Sequence, residues 1–303
     1  MYDVIIVGAG PAGLSAALWL GRGRRQVLVC DAGHPRNAVS GAMHGFLTRD
    51  GTAPLEFVRL GRAELRSYPN VELCEVEVLD AERVKTHFTV TLADHSRLDT
   101  RKLLFTTGIV DELPPLDGIE PFYGKSVFNC PFCDGWEVRD QPLAVYGKDK
   151  EGKHLALQLT QWSRDLLFCT DGPSALTKHD LAQLVHLGLQ VREDRIARLQ
   201  GHDGQLEGIV FANGDQVPRR ALFLRPHQHL RCDLPAKLGY VFPDQRSLLR
   251  TQGYEQPAVP GLYVAGDASR STWVINAASD GVEAAYFIFI ALLQEDLGLT
   301  QSS

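Results

Sequence analysis

Apolar residues along this chain cluster into short runs separated by glycine turns and amphipathic stretches. The first run, Tyr2 to Val7, is broken only by Asp3 and stops at Gly8, as a strand buried on both faces does. Pro11 to Arg22 then carries alanines and leucines at helical spacing behind a starting proline, which predicts a helix. Gln26 to Asp31 is a second apolar strand, so the chain opens as the strand–helix–strand unit of a doubly wound sheet. Pro54 to Ser67 reads as a further helix, and Val71 to Leu98 alternates as a strand-and-turn region. Lys102 to Thr107 is another strand, ending in Gly108. Asp111 to Gly118, with Pro114, Pro115 and Gly118, predicts an interdomain linker.

The middle of the chain repeats this opening. Leu143-Ala144-Val145-Tyr146-Gly147 lines up with Val4-Ile5-Ile6-Val7-Gly8, the helical stretch through Leu155 to Leu159 with Ala16 to Leu20, and Asp165 to Thr170 supplies the next strand. After Arg246 the pattern returns to the first domain, with a strand at Gly261 to Ala265, the pair Gly266-Asp267, and a long helix over roughly 274–294. The expected fold class is α/β with two Rossmann-like nucleotide-binding domains, the second inserted in the first. The expected boundaries are 1–113 with 247–303 for the outer domain and 114–246 for the inner one.

Composition narrows the setting. At 303 residues and 44% hydrophobic the chain is long enough for two cores, and a net charge of −6 argues against nucleic acid as the main partner. The N-terminal run lacks the basic start and the length of a secretory signal. The late apolar stretch Ala284 to Leu293 is about half of what a membrane span needs. A cytoplasmic protein with no membrane partner is the expectation. Six cysteines in a chain this size do not make a disulfide scaffold. Cys30 and Cys169 sit in apolar strands, where an inert buried thiol is expected; Cys130 and Cys133 are the pair close in sequence.

Gly8-Ala9-Gly10-Pro11-Ala12-Gly13 fits the dinucleotide fingerprint between its strand and its helix, with Asp31 closing the next strand. Gly8 permits the tight turn, Gly10 admits a pyrophosphate, and Gly13 lets helix and strand pack closely, while Asp31 suits a ribose hydroxyl. The N–H groups at the helix start favour phosphate. Thr106-Thr107-Gly108 and Gly261 to Asp267 join this motif, and with them the chain resembles the low-molecular-weight thioredoxin reductases. The resemblance implies FAD as cofactor, held by Gly8, Gly10, Pro11, Ala12, Gly13, Asp31, Thr107, Gly108, Gly266 and Asp267. It also implies that Ala277, in the run Ala277-Ala278-Ser279-Asp280-Gly281, starts a helix whose N-terminus faces the flavin, and that the protein is a homodimer.

Two segments depart from that family. Thr272-Trp273 stands where the reductases carry an Arg-Gln pair; Trp273 either stacks near the flavin ring or packs as an interdomain aromatic. Arg36-Asn37 and Met43-His44-Gly45-Phe46 replace the usual flavin-contacting loop, which makes Asn37 and His44 candidate cofactor residues. This second segment and the Cys130 motif resemble the gliotoxin- and holomycin-type dithiol oxidases.

Cys130-Pro131-Phe132-Cys133-Asp134 is a Cys-x-x-Cys motif, whose setting lowers one thiol's pKa and yields an attacking thiolate. A zinc site would need two further ligands, and no second Cys-x-x-Cys exists. Asp134 is placed to manage protons for a departing thiolate. The resemblance implies that Cys133 faces the flavin and Cys130 meets the substrate, a thioredoxin-like protein or a small-molecule dithiol or disulfide. A flavin-bound redox sensor without turnover is the rival from another class.

The inner domain's fingerprint is degenerate. Gly147-Lys148-Asp149-Lys150-Glu151-Gly152 puts an acid where the pyrophosphate needs a glycine, and Cys169-Thr170-Asp171-Gly172 puts another where the 2′-phosphate of NADPH needs cations. These losses predict against NADPH. Asp171 suits the free ribose hydroxyl of NADH, which leaves NADH open.

Overall fold

The structure, a computed structural model, describes residues 1–241, 259–269 and 273–299. The chain divides into two compact units. One comprises Met1–Arg36, Pro54–Val110 and the residues from His229 onward; the other comprises Asn37–Ala53 and Asp111–Gln228.

The first unit opens with β1 (Tyr2–Val7), α1 (Pro11–Arg22), β2 (Val27–Cys30), α2 (Pro54–Leu65) and β3 (Val71–Cys74). β4 (Val78–Val84), β5 (His87–Leu92) and β6 (Arg97–Phe105) follow. The sheet order is β3-β2-β1-β6-β5-β4, parallel across β3, β2, β1 and β6 and antiparallel beyond. β1 is apolar throughout because both its faces are covered. Val4 and Ile6 pack with Ala16, Ala17 and Leu20 of α1, while Ile5 and Val7 pack with Phe88, Val90 and Phe105.

β7 (Ile109–Glu112) leads into the second unit, so the expected linker begins as strand. There follow β8 (Val127–Phe128), α3 (Pro131–Asp134), β9 (Leu143–Tyr146), α4 (Lys150–Leu159), β10 (Leu166–Cys169), α5 (Lys178–His186) and β11 (Gln190–Arg192). β12 (Ile196–His202), β13 (Gln205–Phe211) and β14 (Gln216–Pro218) form an antiparallel meander that the sequence reading did not separate. β15 (Ala221–Leu224) completes a parallel sheet ordered β11-β10-β9-β15-β8. Its run β11-β10-β9-β15 matches β3-β2-β1-β6, so the internal repeat is real at the level of topology.

β16 (His227–Leu230) leads back, and the first unit closes with α6 (Leu234–Lys237), β17 (Leu262–Val264) beside β6, and α7 (Val274–Asp296). The expected domain limits therefore shift. The chain has rejoined the first unit by His229, because Leu230, Cys232, Leu234 and Tyr240 already pack into the layer of Phe88 and Val90. The expected boundary at 246/247 itself lies outside the described residues. Residues 37–53 belong to the second unit, where Val39 lies against the backbone of Gly124.

α7 is long and apolar enough to cross a membrane, more so than its ten-residue apolar stretch indicated. Its inner residues Ala277, Gly281, Ala284, Ile288 and Leu292 are buried, and the helix packs on α1. The contact is close: a side chain at Gly281 would overlap the carbonyl of Ala12.

Candidate active site

Sheet register sets the place of the first unit's motifs. Val7, Cys30, Phe105 and Val264 lie in line across β1, β2, β6 and β17. The residues that follow them therefore emerge at one edge, the carboxyl ends of parallel strands where doubly wound sheets bind ligands. These are Gly8 to Gly13, Asp31, Thr107-Gly108 and Gly266-Asp267.

The three glycines of the fingerprint are required for different reasons. Gly8 has φ +107, and a Cβ on it would stand 2.6 Å from the carbonyl oxygen of Thr106. A Cβ on Gly13 would overlap the carbonyl of Gly8, so helix and strand meet at contact distance. Gly10, the N-cap of α1, has no protein atom within 4 Å of where a Cβ would sit, and no side chain caps the helix. This leaves open space above bare helix N–H groups, the arrangement that favours a phosphate. Pro11 sits at the first helical position, where its missing N–H costs nothing.

The surrounding groups complete a dinucleotide site. Asp31 accepts from the Ala9 N–H at 3.2 Å and pairs with Arg62, and a carboxylate has lone pairs left for a ribose hydroxyl. Arg36 donates to Asp267 at 2.9 Å. Gly266 adopts φ +72 close to the Cβ of Ala12, and Gly108 takes φ +70. Sequence reasoning gave no role to Asp280. It is buried in α7 and accepts from the Gly266 N–H at 2.7 Å and the Ser269 hydroxyl at 2.9 Å, which fixes the Gly266-Asp267 turn. Ala277 is buried one turn earlier, and Trp273 is the half-exposed N-cap of α7. Thr272 lies outside the described residues.

The second unit holds the other centre. Phe128 pairs with Phe223 and Leu224 with Tyr146, so Cys130 follows the carboxyl edge of that sheet. Cys130 and Cys133 form a disulfide with Cα atoms 5.3 Å apart. Cys130 caps the single turn α3, and its Sγ accepts from the Cys133 N–H at 3.2 Å. A side chain at Gly135 would run into the Pro131 carbonyl and the Trp162 ring, so this turn demands glycine. Phe132 and Trp136 stand exposed beside the disulfide, the former edge-on to Trp162 and the latter under Arg139.

Burial, reinforced by the neighbouring Glu137 carboxylate, pushes Asp134 up to about 7, with His44 pulling the other way. Asp134 therefore holds or releases a proton near neutrality, as general acid–base work requires. Asn37 and His44, expected among the cofactor residues, fall in this second unit with the disulfide. The His44 ring lies between Asp50 at 3.4 Å and Glu137 at 3.5 Å, two residues the sequence reading passed over. Cys169 and Cys30 are buried thiols pushed up to about 12, in line with the inert role expected of them.

The degenerate turn has kept its packing and lost its opening. A Cβ on Gly147 would stand 2.5 Å from the Cα of Gly152, as tight a contact as in the intact site. Asp149 is the N-cap of α4, and its carboxylate accepts from the N–H groups of Glu151 at 3.0 Å and Gly152 at 3.1 Å. The helix start thus already holds an anion of its own. Asp171 accepts from the Ile196 N–H at 2.8 Å and lies 3.6 Å from Lys148, an engagement like that of Asp31.

These features define a protein with one open dinucleotide cradle and one redox disulfide. The pyridine nucleotide-disulphide oxidoreductase family model matches residues 2–281. A probable thioredoxin reductase of Arthroderma benhamiae is 30% identical, with 97% of this chain and 81% of that protein covered. Among solved structures, HlmI superposes with a TM-score of 0.93 at 37% identity, covering 98% of this chain and 94% of that one. A putative thioredoxin reductase TrxB from Bacillus anthracis gives 0.92 at 32% identity, with 98% and 100% covered. The chain belongs to the pyridine nucleotide-disulphide oxidoreductase family, as an FAD oxidoreductase of the thioredoxin-reductase-like kind.

Proposed function

We propose that this enzyme exchanges electrons between Cys130–Cys133 and an external dithiol or disulfide, and that NADPH is not its donor. The observation that carries the second half is the Asp149 carboxylate on the N–H groups that a pyrophosphate needs. This cap opposes NADH and NADPH alike, since both bring the same pyrophosphate. Asp171 adds a penalty for the 2′-phosphate alone. A second reading follows from the same cap: with neither nicotinamide held, electrons enter from a small-molecule dithiol and leave to oxygen.

The residues of the first unit fit FAD. The open space at Gly10, the bare start of α1 and the ribose-facing Asp31 would hold its pyrophosphate and adenosine, with Gly266 and Asp267 toward the ribityl chain. When bound, FAD supplies a two-electron couple at the protein's disposal. The chain's own residues do the rest. Cys130 or Cys133 is attacked by the partner's thiolate and its neighbour departs, with Asp134 holding the proton that the departing sulfur requires. The exposed disulfide flank of Phe132 and Trp136 suits a thioredoxin-like protein or a compact apolar dithiol.

Anaerobic titration of the yellow holoprotein tests this. Dithionite should deliver two electron pairs, one beyond the flavin, and Cys133→Ser should take up one. Turnover of a small dithiol should vanish in Cys130→Ser and Cys133→Ser with FAD retained. Flavin bleaching by NADPH within seconds would return the protein to the ordinary reductases, and full exchange activity in either serine variant would show the pair to be wrongly assigned.

A further inference from the structure

His44 lies far from the disulfide in sequence, yet its ring sits beside the residues that follow Cys133. Its Nδ1 is 3.4 Å from Asp50, whose other contact is the Gly45 N–H at 2.8 Å, and its Nε2 is 3.5 Å from Glu137. Glu137 is three residues from Asp134, and the charged groups coupled to Asp134 are Glu137 and His44 themselves. The other cation on this segment, Arg139, lies over Trp136. Exposure rises outward along the set: the side chains of His44, Glu137 and Asp50 are 23%, 43% and 69% exposed. Asp134 is half-buried, as His44 is, and has no hydrogen-bonded counter-ion of its own among the described contacts.

We propose that His44, held between Asp50 and Glu137, is the positioning residue that carries protons between Asp134 and solvent during dithiol–disulfide exchange. This rests on the exchange reaction proposed above. In that half-reaction a substrate thiol loses its proton and its thiolate attacks Cys130; the Cys130–Cys133 bond breaks and Cys133 departs with the electron pair. The second substrate thiol, once deprotonated, closes the substrate disulfide and expels Cys130 as a thiolate. Two electrons pass from the dithiol to the cysteine pair, and two protons leave the substrate. Asp134 protonates a departing sulfur and becomes a half-buried carboxylate that must be reloaded. His44, set between Asp50 and Glu137, hands a proton on to it and takes another from solvent.

The test is the rate at which dithiothreitol opens Cys130–Cys133 in the holoprotein, read across pH by alkylating the freed thiols and weighing the protein. His44→Ala should slow opening by about 100-fold near neutral pH, at the low end of what proton-transfer groups contribute. It should also displace the neutral limb of the pH profile. Millimolar imidazole should restore the rate, which filling a structural gap alone would not do in a pH-dependent way. Asp50→Asn, which keeps the ring but loosens its clamp, should give a smaller slowing in the same direction. An unchanged rate and profile in His44→Ala would overturn the assignment. So would a slowed variant with wild-type melting temperature that imidazole does not rescue. A wild-type disulfide that no dithiol opens would overturn the exchange reaction itself, and this role with it.

Discussion

The two halves of this molecule carry the same strand–turn–helix device and finish its helix start in opposite ways. In both, a glycine pair brings the helix against the strand at contact distance, and in both an acid after the next strand is held by a backbone N–H and a cation. They differ at the helix cap. Gly10 leaves the start of α1 open, and Asp149 fills the start of α4 with a side-chain carboxylate. Retained packing with a filled helix start means that the inner domain keeps the device's stability while its own carboxylate takes the N–H groups. A nucleotide-binding fold is therefore evidence for a nucleotide only at the resolution of its helix cap.

The comparison can be broken most forcefully by exchanging the caps. Gly10→Asp should fold, since nothing stands within 4 Å of the new Cβ and the backbone there is extended as at Asp149. Its carboxylate should take the place of the pyrophosphate and weaken FAD by about 100-fold or more, the equivalent of about 3 kcal/mol of repulsion and lost hydrogen bonding. A yellow Gly10→Asp protein with unchanged FAD affinity, measured by fluorescence of released flavin, would sever cap from cofactor. Next in size is the native inner site. Calorimetric titration should place NADPH at a dissociation constant of about 1 mM or weaker, about −4 kcal/mol or less of binding.

Asp134 sharpens the comparison on the disulfide side of the inner domain. Its folded-state pKa is raised from the usual carboxylate range to about 7, so across that window the folded protein keeps a proton that the unfolded chain has released. The unfolded state then binds fewer protons, and this contribution to stability is lost as pH rises toward 7. Asp134→Asn, which cannot ionise, should melt progressively higher relative to wild type as pH moves from about 4 to about 7, as thermal melts would show. The smallest effect belongs to the reverse swap. Asp149→Gly removes a helix cap at a cost of a few tenths of a kcal/mol, and the same titration should show NADH binding about tenfold tighter than to wild type.

What the sequence made legible was contiguous. The glycine turns, the Cys-x-x-Cys motif and Asp149 each act within a few residues of chain, so spacing alone exposes them. Asp280 was visible only as one acid in an alanine-rich run, because its partners Gly266 and Ser269 are joined to it by the fold. Arg36 reaching Asp267, Arg62 reaching Asp31, and His44 reaching Glu137 span long stretches of chain, and no periodicity announces such pairs. The loop at 37–53 is a flavin candidate because it stands where the reductases carry a flavin-contacting loop, and its packing on Gly124, which joins it to the disulfide unit, is a contact that no spacing shows. Asp149 stands out in the sequence as an acid at a glycine position, but its capping bonds to Glu151 and Gly152 need coordinates.

The close meeting of α7 with α1 sets an order of events at the ribosome. The inner unit is drawn largely from one continuous stretch of chain and can condense while synthesis is still under way. The outer unit cannot: the surface of α1 around Ala12 waits for Gly281, and β6 waits for β17, both made after the inner unit. The nascent chain must therefore shelter an unfinished apolar face beside an already folded neighbour. Cofactor capture accordingly waits for α7, and a stop anywhere within that helix should yield an apoprotein that chaperones retain.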